Sequence, residues 1–149
     1  MVIIGFGPAG QGVARALAGR PEVGVVLDLN REAISRASQF GLHGHVGDAT
    51  QLDILEHAGV RGAQVVAITI PSRDMALDTL RQVRSLAPHA RLIVRSRYER
   101  HTDIFAKGGA HSVVGDEEQV ASVLGAEVLA ALDEGQRANP EPDASAAEP

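Results

Sequence analysis

The sequence predicts an α/β fold: a doubly wound, Rossmann-like parallel sheet of six strands, in a single domain with a C-terminal crossover helix. Three observations predict it. Short apolar runs alternate with helical patterns along the chain, which is the signature of βαβ units and a parallel sheet. The first run leads directly into a glycine turn, in VIIGFGPAGQGVARAL at residues 2–17. At 149 residues the chain has mass for one core and none for a second, substrate-binding domain. With 44% hydrophobic but only 3% aromatic residues, that core must be built from Val, Ile, Ala and Leu, the residues that fill a sheet covered by helices.

Taken in order, the expected strands run over residues 2–5, 23–27, 44–46, 65–70, 92–95 and 111–114. Between them, Val13, Ala14 and Leu17 mark one helical face, Ile34 and Ala37 a second, Leu52 and Leu55 a third. Ala76, Leu80, Val83 and Leu86 keep steps of three or four, and Ser72 stands where their helix needs an N-cap. Asp116 followed by Gln119 forms a capping box for a last helix, expected to run to about residue 132. Its stripe of Val120, Leu124, Val128 and Leu132 would close the sheet or meet a partner chain. The folded domain is therefore expected over residues 1–134. Beyond it, NPEPDASAAEP, rich in Pro, Ala and acid, makes 135–149 a disordered tail or linker.

Composition excludes several classes. No run approaches the roughly 18 apolar residues of a membrane span, and no basic leader or cleavage-type site marks a secretory signal. The absence of cysteine rules out disulfides, thiolate nucleophiles and Cys-based zinc sites, and suits an intracellular protein. A formal charge of −5 argues against nonspecific nucleic-acid binding.

The glycine turn carries the chemistry. Val2–Ile4 supplies a strand, Gly5 the tight turn, Gly7 bare backbone that a pyrophosphate can approach, and Gly10 room for close helix–strand packing. A helix starting near Pro8 points free N–H groups and the positive end of its dipole at an anion, and Pro8 suits its first turn. Asp28 closes the second strand in VVLDLN. A carboxylate there accepts hydrogen bonds from both ribose hydroxyls and repels a 2′-phosphate, which favours NAD, AMP, ADP or ATP over NADP; Arg31 nearby is the one residue suited to the opposite preference. The flanking Phe6, Pro8, Ala9, Leu29 and Asn30 complete this half of the candidate cofactor-binding set.

In an open α/β sheet the ligand lies beyond the carboxyl ends of the strands, at the switch between strands one and four. That topology selects Thr69, Ile70, Pro71 and Ser72, and brings in Asp48 and Ala49 of GDAT. Asp48 is open to a second role as a helix cap. Arg95 and Arg97 at the end of strand five could balance a phosphate or bind a second anion, although Arg97 fits a solvated strand end equally well. His43 and His45 alternate onto one strand face without a third metal ligand at a recognisable spacing, so no metal is expected.

VIIGFGPAGQGVARAL, VVLDLN, VGDATQLDILEHAGV, VVAITIPS and LIVRSRYERHTDIFAKGGAHSVVGDEEQVA follow one another in a way that resembles the RCK N-terminal (TrkA-N) domain, most closely the cytosolic domain of Kef-type cation/proton antiporters. The resemblance covers residues 1 to about 132. It implies a regulatory domain that dimerises, binds NAD(H) or an adenine nucleotide such as AMP, and couples occupancy to a membrane potassium channel or potassium/proton antiporter at the inner face of the cell membrane. It matches Gly5, Gly7 and Gly10 to the phosphate turn and Asp28 to the ribose acid. Asp48 and Ala49 match the motif near the adenine, Thr69 and Ile70 the strand-four end, and Arg95 a family arginine. A glutathione-like second ligand at Arg95 or Arg97 is a further role that the resemblance leaves open. Pro8 stands where many relatives carry a basic residue, and the RCK C-terminal domain that channel-regulating subunits often append is not in this sequence, which is expected of an antiporter tail or of a truncated reading frame. The rival is a small NAD-dependent oxidoreductase, for which Tyr98 and His101 sit in no recognisable catalytic spacing. A DNA-binding regulator would lack a helix-turn-helix module and the charge for it.

Overall fold

The computed structural model describes residues 1–20 and 24–138, the last three of them by backbone alone. Its order is β1 Val2–Ile4, α1 Pro8–Ala16, β2 Val25–Asp28, α2 Arg31–Ser38, β3 His43–Val46, α3 Leu52–His57, β4 Val65–Ile68, α4 Arg73–Leu86, β5 Arg91–Ser96, α5 Thr102–Lys107, β6 Ser112–Gly115 and α6 Asp116–Ala138. Two short 3-10 turns, Val60–Gly62 and Glu99–His101, precede β4 and α5.

All six strands are parallel, in the order β3-β2-β1-β4-β5-β6. The order reverses between β1 and β4, where Ile3 lies opposite Val26 on one side and Ala67 on the other. Alternation along the central strands sends side chains to two cores. Ile3 and Val26 pack with Ala14, Ala33, Ala37 and Leu42, which places α1 and α2 on one face. Val2, Ile4, Leu27, Val66 and Ile68 pack with Leu55, Leu80, Val83 and Phe105, which places α3, α4 and α5 on the other. The predicted doubly wound sheet is thus the observed one.

The helix starts have local causes. Gly7 is the N-cap of α1 and Pro8 opens it, where the missing N–H costs no intrahelical bond. Ser72 caps α4, as the sequence predicts, and Asn30 caps α2 by accepting from the Glu32 N–H at 2.8 Å. β4 stops at Ile68, short of the expected 70. The Thr69 N–H still donates to the Ile4 carbonyl at 2.8 Å, but Pro71 has no N–H with which to extend the ladder. β5 is longer than expected by a residue at each end, and the expected start of β2 at Val23 lies outside the described residues.

The α/β body comprises Met1–Asp116, and Glu117 onward forms a second unit. Within that second unit α6 continues through Gly135 to Ala138, so the expected boundary after 134 falls inside a helix; residues 139–149, the rest of the expected tail, lie outside the described ones. Val120, Val123, Leu124, Val128, Leu129 and Leu132 are each more than half exposed. No helix among the described residues is long and apolar enough to cross a membrane.

Candidate functional site

At the carboxyl ends of β1, β2 and β4 the strands diverge around a cleft of about 330 Å³, near the lower end of the range for small-molecule sites. The three glycines of the turn do different work. Gly5 has φ +89°, and a Cβ there would lie 2.9 Å from Thr69 Oγ1, so side chains are excluded by both conformation and space. A Cβ on Gly10 would overlap the Gly5 carbonyl oxygen. These two close the turn against the sheet. A Cβ on Gly7 would have nothing within 4 Å, and Gly7 lines the cleft at the N-terminus of α1. Its open face is where a phosphate would meet the positive end of the helix dipole.

Thr69 locks this turn from the neighbouring strand. Its hydroxyl donates to the Gly5 carbonyl at 2.8 Å, with a longer 3.3 Å approach to that of Ile4. Asp28 is fixed just as firmly from the other side: Oδ2 accepts from the Phe6 N–H at 2.6 Å and Oδ1 from the Asn30 N–H at 2.7 Å. Each carboxylate oxygen then retains a lone pair for a further donor. The geometry therefore presents a preset double acceptor at one end of the cleft and an open backbone turn next to it. Leu29, 58% exposed at the cleft mouth, and Ala49 add apolar wall beside Asp28.

Across the switch point the wall is Thr69, Ile70, Pro71, Ser72 and Met75, with Arg95 beyond. Arg95 Nε donates to Asp116 Oδ1 at 2.8 Å and Nη2 to Oδ2 at 2.5 Å, a two-bond fork of the kind only arginine makes. Hydrogen bonding to Arg95 holds the Asp116 carboxyl below its ordinary value, and the same bonds raise Arg95. The pairing of β5 with β6, with Arg95 opposite Val114, brings the two residues together.

Of the predicted residues, Gly5, Gly7, Pro8, Asp28, Leu29, Ala49, Thr69, Ile70, Pro71 and Arg95 line one cleft. Five lie outside its wall. Ala9 and Gly10 belong to the first turn of α1 behind it. The Phe6 side chain is fully buried, edge-on to Phe40, and only its N–H serves the site, through Asp28. Asn30 is engaged as a helix cap. The Asp48 carboxylate accepts from the Thr50 N–H at 2.9 Å and hydroxyl at 2.8 Å; these bonds, the backbone one foremost, lower its pKa. It thus stabilises the turn before α3, whose N-cap is Gln51. Asp116, expected as part of a capping box, gives its carboxylate to Arg95. Ile4, Leu27, Gly47 and Met75 also line the cleft. The strand-end positions of Ile4 and Leu27 were a usable signal for them; nothing local marks Met75. His45 meets His57 edge-on at 5.1 Å, and no group of three metal-ligating side chains occurs among the described residues.

A parallel sheet with a glycine turn after β1, a carboxylate ending β2 and a cleft at the switch point defines a ligand-binding domain of the Rossmann class. Within that class, residues 1–116 match the TrkA-N domain model, and the chain belongs to that family. It is 33% identical over 132 residues to a putative K(+) efflux antiporter, KefB, of Alkalimonas amylolytica, covering 89% of this chain and 20% of the relative. It is 37% identical over 103 residues to the glutathione-regulated potassium-efflux system protein KefC of Salmonella paratyphi B, covering 68% of this chain and 16% of the relative. The chain thus spans a fifth or less of the length of these curated relatives. Among solved structures it superposes on the Shewanella denitrificans Kef CTD in its AMP-bound form with a TM-score of 0.77 and 30% identity, over 88% of this chain and 79% of that one. The TrkA-N domain of the Escherichia coli inner membrane protein ybaL shares the fold, with a TM-score of 0.77 at 23% identity, over 83% of this chain and 91% of that one.

Proposed function

We propose that this chain is a regulatory domain that senses an adenine nucleotide or NAD(H) and passes its occupancy to a membrane potassium transporter, of the antiporter kind, on the cytoplasmic side. The observation that carries this reading is the juxtaposition of Asp28, held by two backbone N–H groups, with the unobstructed face of Gly7. A ribose and the phosphate attached to it need those two features side by side. The Kef relatives and the AMP-bound Kef neighbour support the choice of ligand and of partner.

A regulator is favoured over a small oxidoreductase because the charged groups lining the cleft among the described residues are already engaged, Asp28 with backbone and Arg95 with Asp116. Signalling needs a second state, and the exposed apolar stripe of α6 supports a homodimer as the bistable element. A ligand shifts such an equilibrium only by its differential affinity for the two arrangements, commonly about 1–3 kcal/mol.

The test is thermal unfolding with NAD, NADH, NADP, AMP, ADP and ATP, repeated on Asp28→Ala. A bound nucleotide at about 100 times its Kd adds roughly 2.7 kcal/mol to the folded state. Stabilisation by at least one adenine nucleotide, lost in the variant, is the expected result. No stabilisation by any of them would overturn the sensing role, and turnover of a nicotinamide with a simple alcohol would replace it with the oxidoreductase.

A further inference from the structure

We propose that Asp116 sets the charge selectivity of the cleft: by holding the Arg95 guanidinium, it makes the site prefer nucleotides of low phosphate charge over ADP and ATP. The inference rests on the nucleotide reading above and deepens it. Arg95 is the only cation among the described residues that line the cleft, and Pro8 occupies the first position of α1. The other charged lining residue, Asp28, is negative. Arg95 therefore decides how much phosphate charge the walls can match.

That cation is already matched. Its bonds to Asp116, from Nε at 2.8 Å and from Nη2 at 2.5 Å, take one of the two flat edges of the guanidinium and set a carboxylate against its charge, leaving Nη1 as the open end. Both side chains are only about a quarter to a third exposed, 26% and 34%, so solvent screens the pair only in part. A single phosphate can be met by the Gly7 turn and the α1 dipole without disturbing it. Further phosphates need Arg95, and meet a cation whose charge is already balanced by a carboxylate that Arg97 also attracts. Each added phosphate also brings negative charge towards Asp116 itself. Asp116 touches no ligand in this account; it is a positioning residue acting through Arg95.

The experiment is calorimetric titration of the chain, and of Asp116→Asn, with AMP, ADP and ATP free of divalent cations, at low and moderate salt. The chain itself should bind AMP more tightly than ATP. Asp116→Asn should tighten ATP about tenfold, which is about 1.4 kcal/mol, and AMP about threefold or less. The gain should shrink at the higher salt. Asp116→Glu should restore the original ratio, and adding Arg95→Ala to Asp116→Asn should remove the gain, neither of which a loss of structure would produce. Unfolding without ligand reports whether each variant folds, and Asp116→Ser takes the place of Asp116→Asn if that variant does not. An unchanged AMP-to-ATP ratio in a folded variant, or a preference for ATP in the chain itself, overturns the proposal while leaving nucleotide sensing intact. Failure of the chain to bind any of the three overturns the nucleotide reading, and the proposal with it.

Discussion

The two sides of the cleft are built in different ways. On the β1–β2 side every fixed contact runs through backbone: Asp28 accepts from the N–H groups of Phe6 and Asn30, and Gly5 and Gly10 leave no room for a side chain. On the β5 side the decisive contact joins two side chains from different elements, Arg95 and Asp116. Backbone contacts come with the fold and are present before any ligand arrives. A side-chain ion pair near the surface can be exchanged for another partner. In the proposed function the first side would recognise the ligand, and the second would be the place where recognition can be adjusted.

The contrast can be broken most severely at Gly10. Gly10→Ala should destabilise the domain by about 3 kcal/mol, because the new Cβ meets backbone that cannot move aside; the shift of the urea midpoint at constant slope measures it. Thr69→Val comes next. It leaves the Gly5 carbonyl without its 2.8 Å partner, at an expected cost of about 1–2 kcal/mol in the same assay. Gly7→Ala sharpens the comparison from the opposite direction. Its φ of −69° suits any residue and the Cβ meets nothing, so stability should stay within about 0.5 kcal/mol. Nucleotide affinity, in contrast, should fall about tenfold. A large loss of stability there would mean that all three glycines are structural.

The smallest expected effect is in the acid limb of the stability profile. The Asp116 carboxyl is held below the ordinary aspartate value, chiefly by hydrogen bonding to Arg95. Its contribution is therefore complete above about pH 4 and is lost as pH falls through the depressed value of the folded state. Asp116→Asn should flatten unfolding free energy against pH in that window and leave the slope near neutrality unchanged.

How much of this could be read from the residues follows the same division. The strand order, the glycine turn and Asp28 depend on short-range spacing and on a topology that βαβ connections impose. Thr69 and Ile70 follow from the same rule about strand ends, though not the stop at Ile68, which Pro71 enforces. The Asp48 carboxylate in GDAT turns back onto Thr50, a local donor two residues away, a local role of the kind its position before α3 left open. The Arg95–Asp116 fork is invisible in sequence. It depends on the register of β5 against β6, and from spacing alone Asp116 reads as a helix cap. Met75 enters the cleft wall through the docking of α4, a tertiary matter that no local pattern records.

The central claim is that Asp28 receives a ribose while the adjacent turn receives its phosphate. The most direct measurement is the Kd of AMP against that of adenosine 2′,5′-bisphosphate, the same molecule with a phosphate on the hydroxyl that Asp28 should bind. The account predicts that AMP binds and that the bisphosphate binds at least about tenfold more weakly. Equal affinity, a preference for the bisphosphate, or no binding of either would contradict it.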